Sequence, residues 1–441
     1  MNGTTAQDAP DRGPGIGAGP AASAGPLGPI GRYRWRICAL LFFATTLNYL
    51  DRQVLGILAP ELQRELGWTD TDYATIAAAF KVAYAVGLVT MGRVLDHIGT
   101  KVGYALGLGL WSLAGMAHAF AGSVVGFSAA RAALGLAEAV NFPAAVKTVA
   151  EWFPKTERAT ATGLFNSGAN IGAIVAPIVV PAITIAWGWR WAFILTGAVG
   201  FIWLWFWFRY YELPERQRRL QASELAFIRA DGIEATTRVP YMALLPRRET
   251  ITICLLKFVT DPVWWFFLFW LPKFLNERYG LSLLELGPPL IIIYLASDVG
   301  SIAGGWLSSA FVKRGRSVDF ARKAAILVCG LFAVPIFLVA HTDSLWVAVG
   351  LISLGTAAHQ GCSANIYTIA TDVFPSRAVG SVVGLAGLVG AISGALVDGF
   401  VAVMLETTGS YMPVFALFSG AYLLAWVILR IGIPRIQRVE V

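Results

Sequence analysis

The 441-residue chain contains few charged residues for its length. Asp, Glu, Lys and Arg together make up 14% of it, whereas a soluble globular domain contains about a quarter. Hydrophobic residues make up 56% of the chain. This composition excludes an ordinary soluble domain and predicts a protein that crosses the membrane several times.

The sequence also lacks the patterns of a metal site, a disulfide framework or a hydrolytic enzyme. Its four cysteines fall singly within apolar segments, with no CxxC spacing. The HExxH and GxSxG motifs are absent, so we expect neither an enzyme nor a bound metal or cofactor. The net charge of +7 does not indicate nucleic-acid binding, because the basic residues lie in short loops between apolar segments.

Apolar segments of helical length recur along the chain, and about 20 such residues suffice to cross a bilayer. The longest polar stretch separates two sets of six. The predicted fold is an all-α membrane protein of twelve transmembrane helices in two bundles, 32–211 and 250–433. We expect a disordered tail at 1–31, a linker at 212–249 and a C-terminal tail at 434–441. The predicted spans are 37–58, 73–93, 102–121, 124–146, 159–182, 190–210, 250–275, 286–311, 323–341, 345–367, 379–402 and 411–433.

Basic residues are distributed unevenly between the two sides of these spans. With the N-terminus in the cytoplasm, 26 of the 34 Lys and Arg residues lie on the cytoplasmic side and 4 lie in the opposite loops. Loops rich in Lys and Arg stay in the cytoplasm. We therefore expect both termini and the central linker to be cytoplasmic.

The two halves share short motifs. Trp152-Phe153-Pro154 after span four corresponds to Val373-Phe374-Pro375 after span ten, 221 residues further on. Related halves are typical of alternating-access carriers, which hold the substrate between the halves near the middle of the membrane.

Ionisable residues lie well within several spans, where a charge is costly and usually functional. Asn48, Asp51 and Arg52 are spaced i, i+3, i+4 and share one face of span one. Arg131 and Glu138 share a face of span four but stand about 10 Å apart. Each therefore needs a partner elsewhere, and Asp51 and Arg52 are candidates if spans one and four face the same cavity. The eight residues counted are Asp51, Arg52, Lys81, Arg131, Glu138, Lys257, Asp261 and Asp298, whose charges sum to zero.

In the loop after span two, a glycine and an aspartate, Gly92 and Asp96, are followed by Gly99 and the basic Lys101. This pattern resembles the signature of the major facilitator superfamily. Gly92 would permit close helix approach, and Asp96 would pair with a base or cap a helix N-terminus. The resemblance implies that Gly92, Asp96 and Lys101 form a gating loop, and the alternative is an ordinary basic turn.

Further motifs lie within and between the spans: Tyr49-x-Asp51-Arg52, Tyr84, Arg131 with Glu138, and Glu151-Trp152-Phe153-Pro154-x3-Arg158. Together they resemble the anion:cation symporter branch of this superfamily, which includes bacterial sugar-acid carriers and animal sialic-acid and vesicular glutamate carriers. The resemblance covers nearly all of 32–433. Similarity to bacterial hexuronate carriers rests on Gly99-Thr100-Lys101-x-Gly103-Tyr104, Phe165-Asn166-x-Gly168, Ala358-His359-Gln360 and Asp372-Val373-Phe374.

The resemblance implies roles for the charged residues. Arg52 and Tyr84 would contact the substrate carboxylate, Asp51 and Glu138 would carry the coupling protons, and Arg131 would hold the charge state of Glu138. A guanidinium binds a carboxylate through two hydrogen bonds. A buried carboxylate beside an arginine can switch between arginine-paired and proton-bound forms. A substrate anion that takes the arginine therefore favours protonation of the carboxylate, so substrate and proton bind cooperatively.

Two lysines have open interpretations. Lys81, one turn before Tyr84, could neutralise Asp51, bind a second anionic group or extend to the outer interface. Lys257 and Asp261, spaced i, i+4, form either a structural ion pair or part of the substrate site.

Polar and aromatic residues elsewhere are candidates for contacts with a sugar. Amide groups both donate and accept hydrogen bonds, which suits hydroxyls, although they also bond helix to helix; we favour Asn166 and Asn170 as site residues. His359 is either a proton relay or a hydrogen-bonded packing residue. The remaining candidates, each with an equivalent structural explanation, are Gln360, Asn365, Trp264, Trp265 and Asp298.

Together these features predict a monomeric carrier in the bilayer of the bacterial inner membrane. We expect it to import a monocarboxylate sugar acid, a hexuronate by preference, driven by protons. The alternative within this class is an aldonate, an aldarate or another organic anion, or sodium coupling. The alternative from another class is a non-transporting sugar-acid sensor. A sensor would be expected to carry a cytoplasmic signalling domain or long tail, and the stretch 212–250 is the one candidate in the sequence.

Overall fold

The computed structural model describes residues 31–230 and 240–440, without the side chains of Asp96, Lys155, Thr156, Ala159, Ser376 and Arg377. The predicted disordered tail lies outside the described residues, except for its last position. The described residues form helices joined by loops and turns, with no strand among them.

The first half follows the order of the first six predicted spans. The long first helix, α1 (Tyr33–Leu66), is followed by Gly67, whose φ of +69° is a left-handed conformation that glycine adopts without strain. Thr69 and Asp72 form a capping box that begins α2. Predicted span four is divided into two helices, α4 and α5. The helices are α1 Tyr33–Leu66, α2 Asp70–Ile98, α3 Thr100–Ala117, α4 Val124–Glu138, α5 Asn141–Trp152, α6 Lys155–Trp187 and α7 Trp189–Tyr210.

The second half repeats this organisation after a linker whose described residues form a short 3-10 helix, Pro214–Arg216, and two short α-helices. Predicted span seven is also divided, because the helix is interrupted at Trp270. Predicted span nine consists of α13 and a following 3-10 helix, Val334–His341. The helices are α8 Ala222–Ile228, α9 Tyr241–Leu244, α10 Arg248–Phe269, α11 Leu271–Tyr279, α12 Gly287–Lys313, α13 Val318–Ala333, α14 Leu345–Val373, α15 Ser376–Thr408 and α16 Met412–Gly432.

Nine helical segments of the described chain are long and apolar enough to cross a membrane. Predicted spans one, three and four are not among them, although α1, α3 and the α4–α5 pair occupy their positions. The polar cluster from Asn48 to Gln53 makes α1 less apolar, and span four consists of two shorter helices. The all-helical membrane fold is confirmed, while the count of twelve spans stays a prediction.

Glycines allow the closest helix contacts in both halves. A Cβ atom at Gly135 of α4 would lie 2.3 Å from the carbonyl oxygen of Phe80 in α2. A Cβ atom at Gly304 of α12 would lie 2.3 Å from the Cα atom of Gly361 in α14. The packing of α2 against α4 (spans two and four) in the first half thus corresponds to that of α12 against α14 (spans eight and ten) in the second. Such a correspondence is expected of a repeated bundle.

The linker helix α8 is attached to the beginning of α1. The Glu224 carboxylate accepts hydrogen bonds from the backbone nitrogens of Tyr33 and Arg34, both at 3.0 Å. It also pairs with the Arg34 guanidinium, which forms a second ion pair with Glu157 of α6. A carboxylate at this position accepts hydrogen bonds from free N–H groups of the first turn, and its negative charge interacts favourably with the positive end of the helix dipole.

The helix ends define two faces of the molecule. The Tyr33 hydroxyl donates to the Tyr210 carbonyl oxygen at 2.8 Å, so α1 begins where α7 ends. The Arg248 guanidinium donates to the Ile431 carbonyl oxygen, so α10 begins where α16 ends. We call the side that carries these ends the terminal face and the other side the opposite face.

Polar contacts between the halves, within the described chain, concentrate towards the opposite face. Asp70 pairs with Lys273 at 2.9 Å, and the backbone nitrogen of Thr71 donates to Glu406 at 3.0 Å. Towards the terminal face, Arg93 lies 5.9 Å from the ring centroid of Tyr241, which precedes α10. The opposite face is therefore the closed side of the molecule.

Candidate functional site

Arg52 and Glu138 form an ion pair between α1 and α4. The Arg52 Nη2 and Nε atoms donate to Glu138 Oε2 at 2.9 and 3.1 Å. The two side chains are 3% and 0% exposed. Glu138 is the last residue of α4, and its Oε1 atom has no hydrogen-bond partner in the described chain. The expected contact between spans one and four is present, and it leaves one carboxylate oxygen free.

Aromatic rings from both halves surround the Arg52 guanidinium. A cation over an aromatic face is attracted to its negative potential, most strongly where water is excluded. The rings hold the guanidinium in place without neutralising its charge. Its carbon atom lies 4.7 Å from the ring centroid of Tyr49, 4.9 Å from Tyr84, 5.1 Å from Phe80 and 5.7 Å from Trp265.

Arg131 and Asp51 are buried beside this pair. Arg131 Nη2 donates to the backbone oxygen of Arg52 at 2.9 Å, while its Nε and Nη1 atoms have no partner in the described residues. The hydrogen bonds to Glu138 come from Arg52, so Arg131 can act on Glu138 only through its nearby charge. Asp51 is 4% exposed, and its Oδ1 atom has no partner in the described residues.

Lys81 pairs with Asp398 of α15, which belongs to the other half. Its Nζ atom lies 2.6 Å from Asp398 Oδ1, and both side chains are 0% exposed. The Trp270 indole nitrogen donates to the same oxygen at 2.9 Å. Full burial contradicts the interpretation that Lys81 extends to the outer interface, and its ion-pair partner is not Asp51. Its predicted role as a substrate contact stays a prediction.

Asp398 is missing from the eight ionisable residues counted in the sequence. It lies only four residues from the predicted end of span eleven, at 402, but α15 continues to Thr408 and places it in the helix interior. With Asp398 included, the membrane interior carries one more negative than positive charge. A lone carboxylate in an apolar span was the signal that could have identified it.

Lys257 and Asp261 form the predicted ion pair within α10. Lys257 Nζ lies 2.6 Å from Asp261 Oδ1 and 4.7 Å from the ring centroid of Tyr367 in α14. No sequence signal marks Tyr367, because aromatic residues are common in membrane helices.

His359 is a buried packing residue in this structure. Its Nδ1 atom lies 2.9 Å from the Tyr422 hydroxyl, and its ring stacks on Trp264 with centroids 5.4 Å apart. These contacts match the structural interpretation of His359; a role as a proton relay or substrate contact stays a prediction.

The amide residues separate into two groups. Asn365 is buried and donates to the Gly304 and Gly361 carbonyl oxygens at 3.0 and 2.8 Å, so it bonds helix to helix. Asn166 is exposed, while Asn170 and Gln360 are half-buried, which leaves them available for contacts with a ligand. Asp298 is also half-buried, and its Oδ1 atom has no partner in the described residues. The described residues include no group of three His, Cys, Asp or Glu side chains that could hold a metal.

The gating loop differs in part from the expectation. A Cβ atom at Gly92 would meet no atom of the described residues within 4 Å, so Gly92 makes no close helix contact among them in this structure, which is closed at the other face. Lys101 Nζ pairs with Glu212 Oε2 at 2.7 Å and holds the pKa of that carboxyl below its ordinary value. This bridge joins the start of α3 to the end of α7. The Asp96 side chain lies outside the described residues.

Comparisons with known proteins agree with this architecture. The sequence model of the Major Facilitator Superfamily matches residues 41–397, which span both halves. The hexuronate transporter of Escherichia coli strain K12 is 34% identical over 409 residues, which cover 90% of this chain and 94% of that protein. The galacturonate transporter of Dickeya chrysanthemi is 36% identical over 286 residues, which cover 64% of this chain and 83% of that protein.

A solved structure supports the fold independently. The crystal structure of a D-xylose-proton symporter superposes with a TM-score of 0.72 over 92% of this chain and 99% of that chain, at 13% identity. At this identity the similarity concerns the fold alone. With the family match across both halves, the chain belongs to the Major Facilitator Superfamily and is a membrane transporter rather than an enzyme.

Proposed function

We propose that the chain imports a sugar-acid anion, a hexuronate by preference, by proton symport with alternating access. The observation that carries the proposal is the Arg52–Glu138 pair: among the described residues, Glu138 is the one carboxylate paired with this buried arginine, and its Oε1 atom has no hydrogen-bond partner. Tyr84 stands over the guanidinium and is only half-buried, so a ligand can reach this position. The relatives named for hexuronate and galacturonate transport support the choice of substrate.

Coupling follows from competition for Arg52. When a substrate carboxylate takes the guanidinium, Glu138 loses its hydrogen-bonded partner in a site that excludes water. An unpaired buried carboxylate is strongly unfavourable, so Glu138 binds a proton. Release of the substrate returns Arg52 to Glu138 and expels the proton. Because each ligand favours the other, the two cross the membrane together.

Asp51 is the second proton site of the proposal. It is buried one residue before Arg52, and one of its oxygens has no partner among the described residues. Such a carboxylate can carry a proton that neutralises it during the crossing.

The proposal includes an orientation in the membrane. The excess of basic residues on one side favours cytoplasmic termini in a bacterial inner membrane, with the carrier acting as a monomer. The terminal face is then cytoplasmic, and the closed opposite face is periplasmic. In that orientation the structure corresponds to a state that releases substrate to the cytoplasm.

Uptake into proteoliposomes tests the proposal. Labelled glucuronate and galacturonate are supplied with an inward proton gradient, with and without an ionophore, beside gluconate, galactonate and glucarate as competitors. We expect gradient-driven uptake that only hexuronates inhibit. Uptake driven by sodium alone would overturn proton coupling, and stronger competition by galactonate would favour an aldonate. Binding without any uptake would favour the sensor.

Two variants assign the residues. Glu138→Gln should abolish proton-driven accumulation while preserving exchange of substrate across the membrane, since the neutral amide mimics the protonated acid.

Arg52→Lys should lose binding of the sugar acid, because an ammonium cannot make the two-pronged contact with a carboxylate. The matched controls Glu61→Gln and Arg64→Lys change an ion pair on the same helix whose side chains are 33% and 74% exposed. Unchanged accumulation in Glu138→Gln would remove Glu138 from the coupling step.

A further inference from the structure

The Lys257–Asp261 ion pair is a second charged position in the membrane interior. Lys257 is 5% exposed and hydrogen-bonded to Asp261, whereas the Asp261 side chain keeps 13% of its surface accessible. The cation is therefore covered and already neutralised, and the carboxylate is the member of the pair that a ligand can contact.

The helix α10 links this pair to the Arg52 site. Asp261 lies one helical turn before Trp265, whose ring centroid is 5.7 Å from the Arg52 guanidinium carbon. Beside the pair, the ring of Tyr367 lies 4.7 Å from Lys257 Nζ and is 42% exposed. A ligand between the halves can therefore contact Arg52 at one end and approach Lys257 and its partner at the other.

The neighbouring helix α15 leaves space for the carboxylate. A Cβ atom at Gly390 would lie 2.0 Å from Asp261 Oδ2. The aspartate therefore occupies space that a side chain at position 390 would otherwise fill. On the same side of α10, the rings of Trp264 and His359 stack and form a flat apolar wall. A carboxylate beside a flat aromatic surface is suited to the hydroxyls and the apolar face of a sugar.

We infer that Lys257 and Asp261 form a subsite for the end of the substrate remote from Arg52, and that Asp261 selects a hydroxyl over a second carboxylate there. This inference rests on the proposed function. A hydroxyl donates to Asp261 while the ion pair stays intact. A second carboxylate would face Asp261 at close range, and such contacts between like charges are strongly unfavourable. Asp261 is thus a specificity-determining residue that admits monocarboxylates and rejects dicarboxylates.

The test measures ligand affinities of the purified full-length chain and its Asp261→Asn variant by calorimetry. The ligands are glucuronate, gluconate and glucarate; the last two are open chains that differ at the remote end. Asp261→Asn keeps the shape of the side chain but leaves Lys257 as an uncompensated cation. We expect the affinity for glucarate relative to glucuronate to rise about tenfold or more, with no gain for gluconate.

Asp343→Asn is the matched control. It also removes a carboxylate from the second half, but its side chain is 95% exposed and pairs with Arg278 on the surface. The ratio of affinities should not change in this variant.

Each outcome decides between the two proposals. An unchanged glucarate-to-glucuronate ratio in a folded Asp261→Asn variant would overturn the inference and leave the proposed function intact. If the Asp261→Asn variant does not fold, the wild-type chain alone tests the inference. Equal affinity of the wild-type chain for gluconate and glucarate would overturn the inference. Failure of the wild-type chain to bind glucuronate would instead contradict the proposed substrate, and the inference with it.

Discussion

Three of the four buried cations of the charged core form ion pairs, each in a different way, whereas Arg131 bonds to a backbone oxygen. Arg52 pairs with a carboxylate on another helix of its own half, Lys257 with one on its own helix, and Lys81 with one in the other half. Spacing along a helix identifies the Lys257 pair, because i, i+4 neighbours meet on one face. The partner of Lys81 is 317 residues away in sequence. Local spacing carries no information about such a contact, so the sequence predicted a charge within the membrane at Lys81 but did not identify Asp398 as its partner.

Asp398→Asn should destabilise the protein severely, because it leaves Lys81 buried without a counter-charge. Removing one member of a buried ion pair costs about 3–5 kcal/mol, so thermal unfolding in detergent should occur at a clearly lower temperature. A double variant, Asp398→Leu with Lys81→Met, should recover much of the loss because no charge remains buried. The exposed Asp343→Asn change is the control. Equal unfolding temperatures for Asp398→Asn and Asp343→Asn would show that the pair contributes nothing to stability.

At the scale of helices, apolar length predicted the order of the segments but not their interruptions. Spans four and seven each consist of two helices, and both second helices have a proline in the first turn, Pro143 and Pro272. Proline in the first turn is typical of a helix start. The prolines in the apolar spans four and seven were therefore a sequence signal for a second helix start. The observed helix ends differ from the predicted span ends for another reason. Helices such as α1 and α15 extend beyond the apolar core into polar flanks that a hydrophobicity criterion leaves out.

Gly304→Ala tests the contact between α12 and α14. The new methyl group would overlap Gly361, so the helices must move apart, at a cost of about 1–3 kcal/mol. Gly305→Ala is a closely matched control, because a Cβ atom at this next position would meet none of the described atoms within 4 Å. We expect a lower unfolding temperature for Gly304→Ala and no loss for Gly305→Ala, measured side by side in detergent. Similar values for both variants would mean that the close contact is not required.

For the whole molecule, composition and motifs predicted the membrane fold and its family, but not which side of the molecule is closed. Closure depends on contacts such as Asp70 with Lys273 and Thr71 with Glu406, which join residues far apart in sequence. Such contacts break and reform as a carrier alternates, so one sequence must encode at least two arrangements of them. The structure presents the arrangement with the opposite face shut.

A crosslink across the closed face should stop transport while preserving binding. Cysteines at 71 and 406, both exposed and adjacent in the structure, can be joined through two disulfides by a short bis-methanethiosulfonate reagent. The native cysteines are buried or half-buried, which limits competing reactions. We expect loss of uptake that a reductant reverses, with ligand affinity unchanged.

A crosslink within one half is the control. Arg278 and Asp343 pair at 2.7 Å inside the second half, so cysteines there can be joined without linking the halves. Transport should continue in this variant. Full uptake by the 71–406 variant after complete crosslinking would show that the opposite face need not open.

The cap that Glu224 provides for α1 has a practical consequence for dissecting the protein. Because α8 is bound to the first turn of α1, the early part of the linker belongs structurally to the first bundle. A gene cut between codons 230 and 240 would place this cap on the first fragment and leave α9 to α16 on the second. We expect the two fragments, co-expressed, to reassemble in the bilayer, whereas a cut before Ala222 would strip α1 of its cap and lower the yield of complex.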